Sequence, residues 1–201
     1  MIKVKHRYFI VNKPPHMVSQ FISSHNVGLL GDINFNFPAG THAIGRLDNN
    51  SEGLLLLTTN KKVTRLLFSP GKSHPRVYLV QVNNLVTTEK LALLRSGVKI
   101  RVKGGGYYEA ACNAEIIDVP EKLYKISKGT TQFGVHTWLQ ISITEGKHRQ
   151  VRKMVAAIRH RCKRLIRISI ENIQLGDLQP GEVCELNEEL FFEKLNIQNT
   201  S

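Results

Sequence analysis

Three stretches carry side chains that could do chemistry. The first is Gly45-Arg46-Leu47-Asp48-Asn49-Asn50-Ser51-Glu52-Gly53, running into Leu54-Leu55-Leu56-Leu57-Thr58. A polar loop bracketed by glycines and feeding an apolar strand can hold a carboxylate, here Asp48, at the rim of a rigid sheet. An isolated Asp in such a place ordinarily just closes a turn. The second stretch is Arg76-Val77-Tyr78-Leu79-Val80-Gln81-Val82. Strand alternation puts Arg76, Tyr78 and Val80 on one face. A Tyr beside an Arg suits stacking on a nucleobase, and it equally suits a packing pair on an edge strand. The third runs from Glu145-Gly146-Lys147-His148-Arg149-Gln150-Val151-Arg152-Lys153-Met154 to Arg164-Leu165-Ile166-Arg167. Its basic side chains ride on a helix and a strand, and their density points to a polyanion.

The charge distribution sharpens that last point. The chain of 201 residues has a net charge of +12. Residues 145–170 hold nine Lys or Arg and one acid, Glu145, whereas residues 171–201 hold seven acids and one base, Lys194. A basic block beside an acidic one is a face aimed at a polyanion, with nucleic acid the first candidate. Cys112, Cys162 and Cys184 form neither a disulfide framework nor a Cys-x-x-Cys pair, and His160-x-Cys162 falls short of the three or four ligands of a zinc site. No metal and no cofactor is expected. No apolar run approaches a membrane span, and the first residues lack the apolar core of a signal peptide. The expected location is the cytosol.

The elements that must position these residues follow from apolar periodicity. Strands are expected at Arg7–Asn12, ended by Lys13-Pro14-Pro15, and at Leu54–Thr58 and Val77–Val82. Further strands are expected at Val98–Val102, Glu109–Ile117, Val135–Ile143 and Leu165–Ile170. In Val135–Ile143 only Thr137 interrupts the apolar face. Helices are expected at Lys62–Phe68, stopped by Pro70-Gly71, and from a Thr88 cap to about Arg95, stopped by Gly97 in a left-handed conformation. A third helix has the core stripe Val151, Met154, Val155 and Ile158, with Lys147, Arg149, Arg152, Lys153 and Arg159 on its other faces. Asn187 caps a last helix. Residues 23–40 and 119–134 read as loops. Strands outnumber helices and often follow one another, which implies an α+β fold with a largely antiparallel mixed sheet and flanking helices. One domain over 1–201 is expected, with room for two lobes, about 1–60 plus a C-terminal part and about 61–140.

Taken together, the order Gly-Arg-Leu-Asp … Gly-Leu-Leu-Leu-Leu-Thr, Arg-x-Tyr, Glu-Gly-x-x-Arg-Gln-Val-Arg-x-Met and Arg-Leu-Ile-Arg closely resembles the RsuA branch of the pseudouridine synthases, from about Phe9 to Leu186. Many members of that branch begin with a small S4-type RNA-binding module. Asn12-Lys13-Pro14 stands so near residue 1 that no such module is expected, and in this the chain resembles the E type that acts on large-subunit rRNA. It departs from the branch at Arg76, where Lys is frequent, at Ser51, where Thr is, and at Glu171, where Gly is.

The resemblance implies a central cleft in which uridine in ribosomal RNA becomes pseudouridine, without metal or cofactor, by a monomer. It makes Asp48 the nucleophile and Arg152 the guanidinium that pairs with it. Tyr78 would stack on the flipped base and could take the C5 proton, and Leu165 would form the pocket wall. Arg46 would hold a phosphate or the flipped nucleotide. Lys147, His148, Arg149, Gln150, Lys153, Arg164 and Arg167 are candidate RNA contacts. Two other readings compete. A glycoside hydrolase typically uses two carboxylates, and only Glu52 lies near Asp48 in sequence. A non-enzymatic RNA-binding or ribosome-assembly factor would keep the basic helix but would not need Asp48.

Overall fold

The computed structural model describes residues 5–69, 73–121 and 134–198. In chain order its elements are β1 (Tyr8–Lys13), β2 (His42–Ile44), β3 (Glu52–Thr58), α1 (Lys62–Leu67), β4 (Arg76–Asn83), α2 (Thr88–Ser96), β5 (Val98–Arg101) and β6 (Tyr107–Ala110). Then come β7 (Asn113–Ile117), β8 (His136–Ile143), α3 (Gln150–Ala157), β9 (Cys162–Ile170), β10 (Ile173–Gln174), β11 (Val183–Leu186) and α4 (Glu188–Lys194). The pairings described below are all antiparallel, and the α+β class is as expected. The chain divides into two compact units, residues 1–74 with 167–201, and residues 75–166.

In the first unit β1 lies between β11 and β3, with β2 also on β3. Every residue of β1 and β3 is buried, as their unbroken apolar runs require. α4 closes over β1. Its cap is Asn187, whose side chain accepts from Leu190 N at 2.8 Å. The Tyr8 ring lies 4.6 Å from that of Phe191, and its hydroxyl donates to Glu188 Oε2 at 2.6 Å. Burial and that bond push the Tyr8 phenol up to about 12. Glu171 sits in the turn between β9 and β10 with φ 50, a left-handed conformation that glycine adopts without strain. Here the side chain is used: its carboxylate meets buried His74 Nδ1 at 2.7 Å.

In the second unit β8 lies between β4 and β7, and β5 and β6 form a separate hairpin. The out-of-pattern Thr137 is buried on the apolar side because its hydroxyl is fully used. It accepts from Val86 N at 3.0 Å and donates to Asn84 O at 2.8 Å.

Several expected boundaries differ. β1 runs through Lys13 and does not end before it, because Lys13 still pairs with Gly53. The cap of α2 is Thr87, whose side chain accepts from Lys90 N; Thr88 is already helical. Gly97 has φ 122 and ψ 139, a glycine-only conformation but not the left-handed helical one. The stretch 109–117 is two strands broken at Ala111-Cys112, where Cys112 N donates to Leu94 O. Val135 is exposed and outside β8. The stop at Pro70-Gly71 and most of the 119–134 loop lie outside the described residues.

Candidate active site

In the first unit, the motif around Asp48 is a short loop between β2 and β3. Gly45 enters it at φ 74, and an added Cβ would come within 3.0 Å of the Phe68 ring. Leu47 is then anchored in the core. Its N–H donates to Ser19 Oγ at 2.9 Å, and Ser19 Oγ donates to Leu47 O at 3.0 Å. Asp48 closes a turn through its backbone, Ser51 N donating to Asp48 O at 3.0 Å. The turn role and the catalytic role are therefore compatible, because the turn uses the main chain. Asp48 is half-buried, and Arg46 beside it is exposed.

Lys13, which the sequence reading used only as a strand end, lies under this loop. It is fully buried, and its ammonium donates to Pro14 O and Met17 O at 2.7 Å and to Asn49 O at 3.4 Å. Burial lowers its pKa to about 8; the charges of Glu52 and Asp48 oppose the shift, and that of Arg167 adds to it. Glu52 and Arg167 are themselves buried, and Arg167 Nε donates to Leu54 O at 2.8 Å. Two cations and two carboxylates are thus gathered around the root of the Asp48 loop. A Lys ending an otherwise apolar strand, Tyr8-Phe9-Ile10-Val11-Asn12-Lys13, was the available signal.

The second unit carries Tyr78, Arg152 and Leu165. Tyr78 is buried in β4, opposite Ile141 of β8. Arg76, one step along the same face, is buried with its guanidinium donating to Thr144 O at 3.2 Å. Leu165 is buried in β9. Arg152 is buried on α3, which corrects its placement among the exposed faces of that helix.

The remaining basic candidates separate by burial. Gln150 is 3 % exposed and staples the loop before α3: its amide donates to Glu145 Oε1, and its Oε1 accepts from Lys147 N at 2.9 Å. With Arg149 left-handed at φ 54, this explains the Glu-Gly-x-x-Arg-Gln pattern as a folded loop. Arg164 is buried with its guanidinium 6.0 Å from the Trp138 ring centre, and Arg167 is buried as described. These three are held by the protein's interior, so their burial favours scaffolding over direct RNA contact. Lys147, His148 and Arg149 are exposed, and Lys153 is half-exposed. His160 is a satisfied interior histidine, its Nδ1 2.7 Å from Asn83 O and its Nε2 3.0 Å from Lys90 Nζ. Among the described residues no group of three His, Cys, Asp or Glu could hold a metal ion, and no helix is long and apolar enough to cross a membrane.

The model of the RNA pseudouridylate synthase family matches residues 7–157, three quarters of the chain. The chain belongs to that family. It is an RNA pseudouridine synthase, an isomerase. Among its relatives are the ribosomal large subunit pseudouridine synthases E of Vibrio parahaemolyticus and Xanthomonas campestris. The first is 37 % identical over 90 % of this chain and 74 % of that protein. The second is 34 % identical over 86 % of this chain and 91 % of that one. A crystal structure of a pseudouridylate synthase superposes with a TM-score of 0.74 at 26 % identity, covering 97 % of this chain and 76 % of the other.

Proposed function

We propose that this synthase isomerises one uridine, or a very small cluster, in large-subunit ribosomal RNA, acting as a monomer in the cytosol with Asp48 as nucleophile. The bond from C1′ to N1 breaks, the base turns, and C5 joins C1′. The C5 proton leaves and N1 gains one, so the product is an isomer and no oxidant, reductant or nucleotide is consumed. Asp48 supplies the carboxylate that opens the step. Arg152 supplies the guanidinium that keeps a carboxylate ionised and oriented, and Tyr78 the ring that stacks on the turned base. Exposed Arg46 holds a phosphate next to the flipped nucleotide. Flipping costs a few kcal/mol, least for an unpaired base, so a loop uridine is the natural target.

The observation that carries this reading is the anchoring of the Asp48 loop. Its main chain is held on one side by Ser19 and approached on the other by buried Lys13, while the Asp48 carboxylate stays half-exposed. A loop held in this way can present a nucleophile with little reorganisation. Large-subunit rRNA as substrate is supported by what the relatives' names state. The test is to map pseudouridines, by base-specific chemical adducts, in total RNA from cells with and without the gene. One site or a small cluster should vanish from large-subunit rRNA. A missing tRNA site with an unchanged rRNA map would overturn the substrate. An unchanged map in all RNA would favour a binding factor.

A further inference from the structure

Outside the three motifs, the β5–β6 hairpin collects features that the motifs do not explain. Its tip is Gly104-Gly105-Gly106, closed by Val102 N donating to Gly106 O at 2.9 Å. Gly104 and Gly105 have φ of 98 and 94, so the tight tip depends on glycine. The strands flanking it are basic and aromatic. Arg101 pairs across the hairpin with Tyr107, and Ile100 with Tyr108. Ile100 is buried, so Arg101 and Tyr107 take the opposite, outward face. Tyr107 is 74 % exposed, an unusual placement for a large ring that packs nothing.

The hairpin is tied to the segment around α3. Lys153 Nζ donates to Arg101 O at 2.6 Å, and Lys147 Nζ stands 5.0 Å from the centre of the Tyr108 ring. Between them is a cleft of about 400 Å³ lined by Arg101, Val102, Lys103, His148 and Lys153. Four of these five residues are basic and none is acidic. The volume is that of a small-ligand site, roughly 300–1,000 Å³, although its lining is unlike the apolar lining typical of one. Clustered cations with an exposed aromatic alongside suit a single-stranded nucleic acid: phosphates in the basic groove and one base on the ring.

We infer that this cleft is an RNA-strand site. Arg101 and Lys103 bind backbone phosphates of an unpaired segment of the substrate RNA, and Tyr107 stacks on one of its bases. The inference rests on the proposed RNA substrate and extends the contacts to a hairpin lying between the second and third motifs. It also supplies a recognition surface within the catalytic chain itself.

The experiment compares the whole wild-type chain with Arg101→Gln/Lys103→Gln, with Tyr107→Ala, and with the control Lys61→Gln/Lys62→Gln on an exposed part of the first unit. Binding to fluorescein-labelled oligouridylate is measured across a salt series. Turnover is followed by tritium release from 5-tritiated uridine in large-subunit rRNA. The double variant should weaken binding and lower the slope of log affinity against log salt by about 0.7 for each cation removed, with KM raised and kcat kept. Tyr107→Ala should weaken binding by at least about fivefold, the low end for one stacked base, with the slope unchanged. Affinity, slope and KM matching the control in both variants would overturn the inference. So would unchanged RNA binding together with lost binding of polyglutamate, which would assign the cleft to an acidic protein segment. Because oligouridylate binding does not depend on the target uridine, a wild type that binds but releases no tritium from rRNA counts against the proposed substrate, not the cleft.

Discussion

The loop bearing Asp48 and the basic region around α3 both stand out in sequence, but the protein builds them in opposite ways. In the first unit the reactive loop is held from below by buried polar groups, Lys13 and Ser19, that bind its main chain. In the second, most of the exposed cations, Lys147, His148, Arg149, Arg101 and Lys103, stand at the surface, where they act through charge alone. The contrast is one of tolerance. A carboxylate that must meet one carbon atom needs a fixed backbone, whereas phosphates can be met by mobile side chains in many geometries. Small errors should therefore be severe around Asp48 and graded around the hairpin.

The sharpest test of the buried side is Lys13. Its folded pKa of about 8 lies below the ordinary lysine value of 10.5. Between those values the unfolded chain binds more proton, so stability rises with pH across that window. The burden of burying the charge is complete below pH 8 and relieved above it. Relative to Lys13→Met, wild type should gain about 3 kcal/mol between pH 8 and pH 10.5, measured by urea unfolding. Activity should move the other way: kcat should fall as pH rises through about 8, and this limb should be absent in Lys13→Met. A flat difference in stability would mean that Lys13 does not carry a buried charge.

Arg152 tests whether burial marks a reacting group within the basic segment. Arg152→Ala should lower kcat by roughly a hundredfold, the scale of a misplaced reacting group, with RNA affinity within a few fold. Loss of affinity alone would move it to the exposed class. The smallest effect belongs to Lys153→Ala. A single phosphate contact should cost about 0.7 of salt slope and leave kcat untouched. A drop in kcat there would break the contrast from the other side.

Much of this was legible in sequence where one local pattern decides. The continuous apolar runs of β1 and β3 and the stripe of Val151, Met154 and Val155 could only be buried, and they are. The chemistry-bearing motifs were legible as an ordered set, although none would have sufficed alone. What stayed hidden depends on contacts remote in sequence. A Lys before two prolines reads as a strand end until Asn49, 36 residues away, is found close by. Gln150, Arg164 and Arg167 looked like surface groups because a run of polar and basic residues is ordinarily solvated. Their burial comes from Glu145, Trp138 and Leu54. The hairpin's basic face was missed because Arg101 and Lys103 lie about fifty residues from the helix they flank.

Asp48→Asn is the most direct measurement of the central claim. The substitution keeps the shape of the side chain and the main-chain turn to Ser51, and removes only the carboxylate. Tritium release from 5-tritiated uridine in large-subunit rRNA should disappear almost wholly, while oligouridylate binding stays within a few fold and the urea midpoint is little changed. Product formation near the wild-type rate by a folded, RNA-binding Asp48→Asn protein would contradict the account.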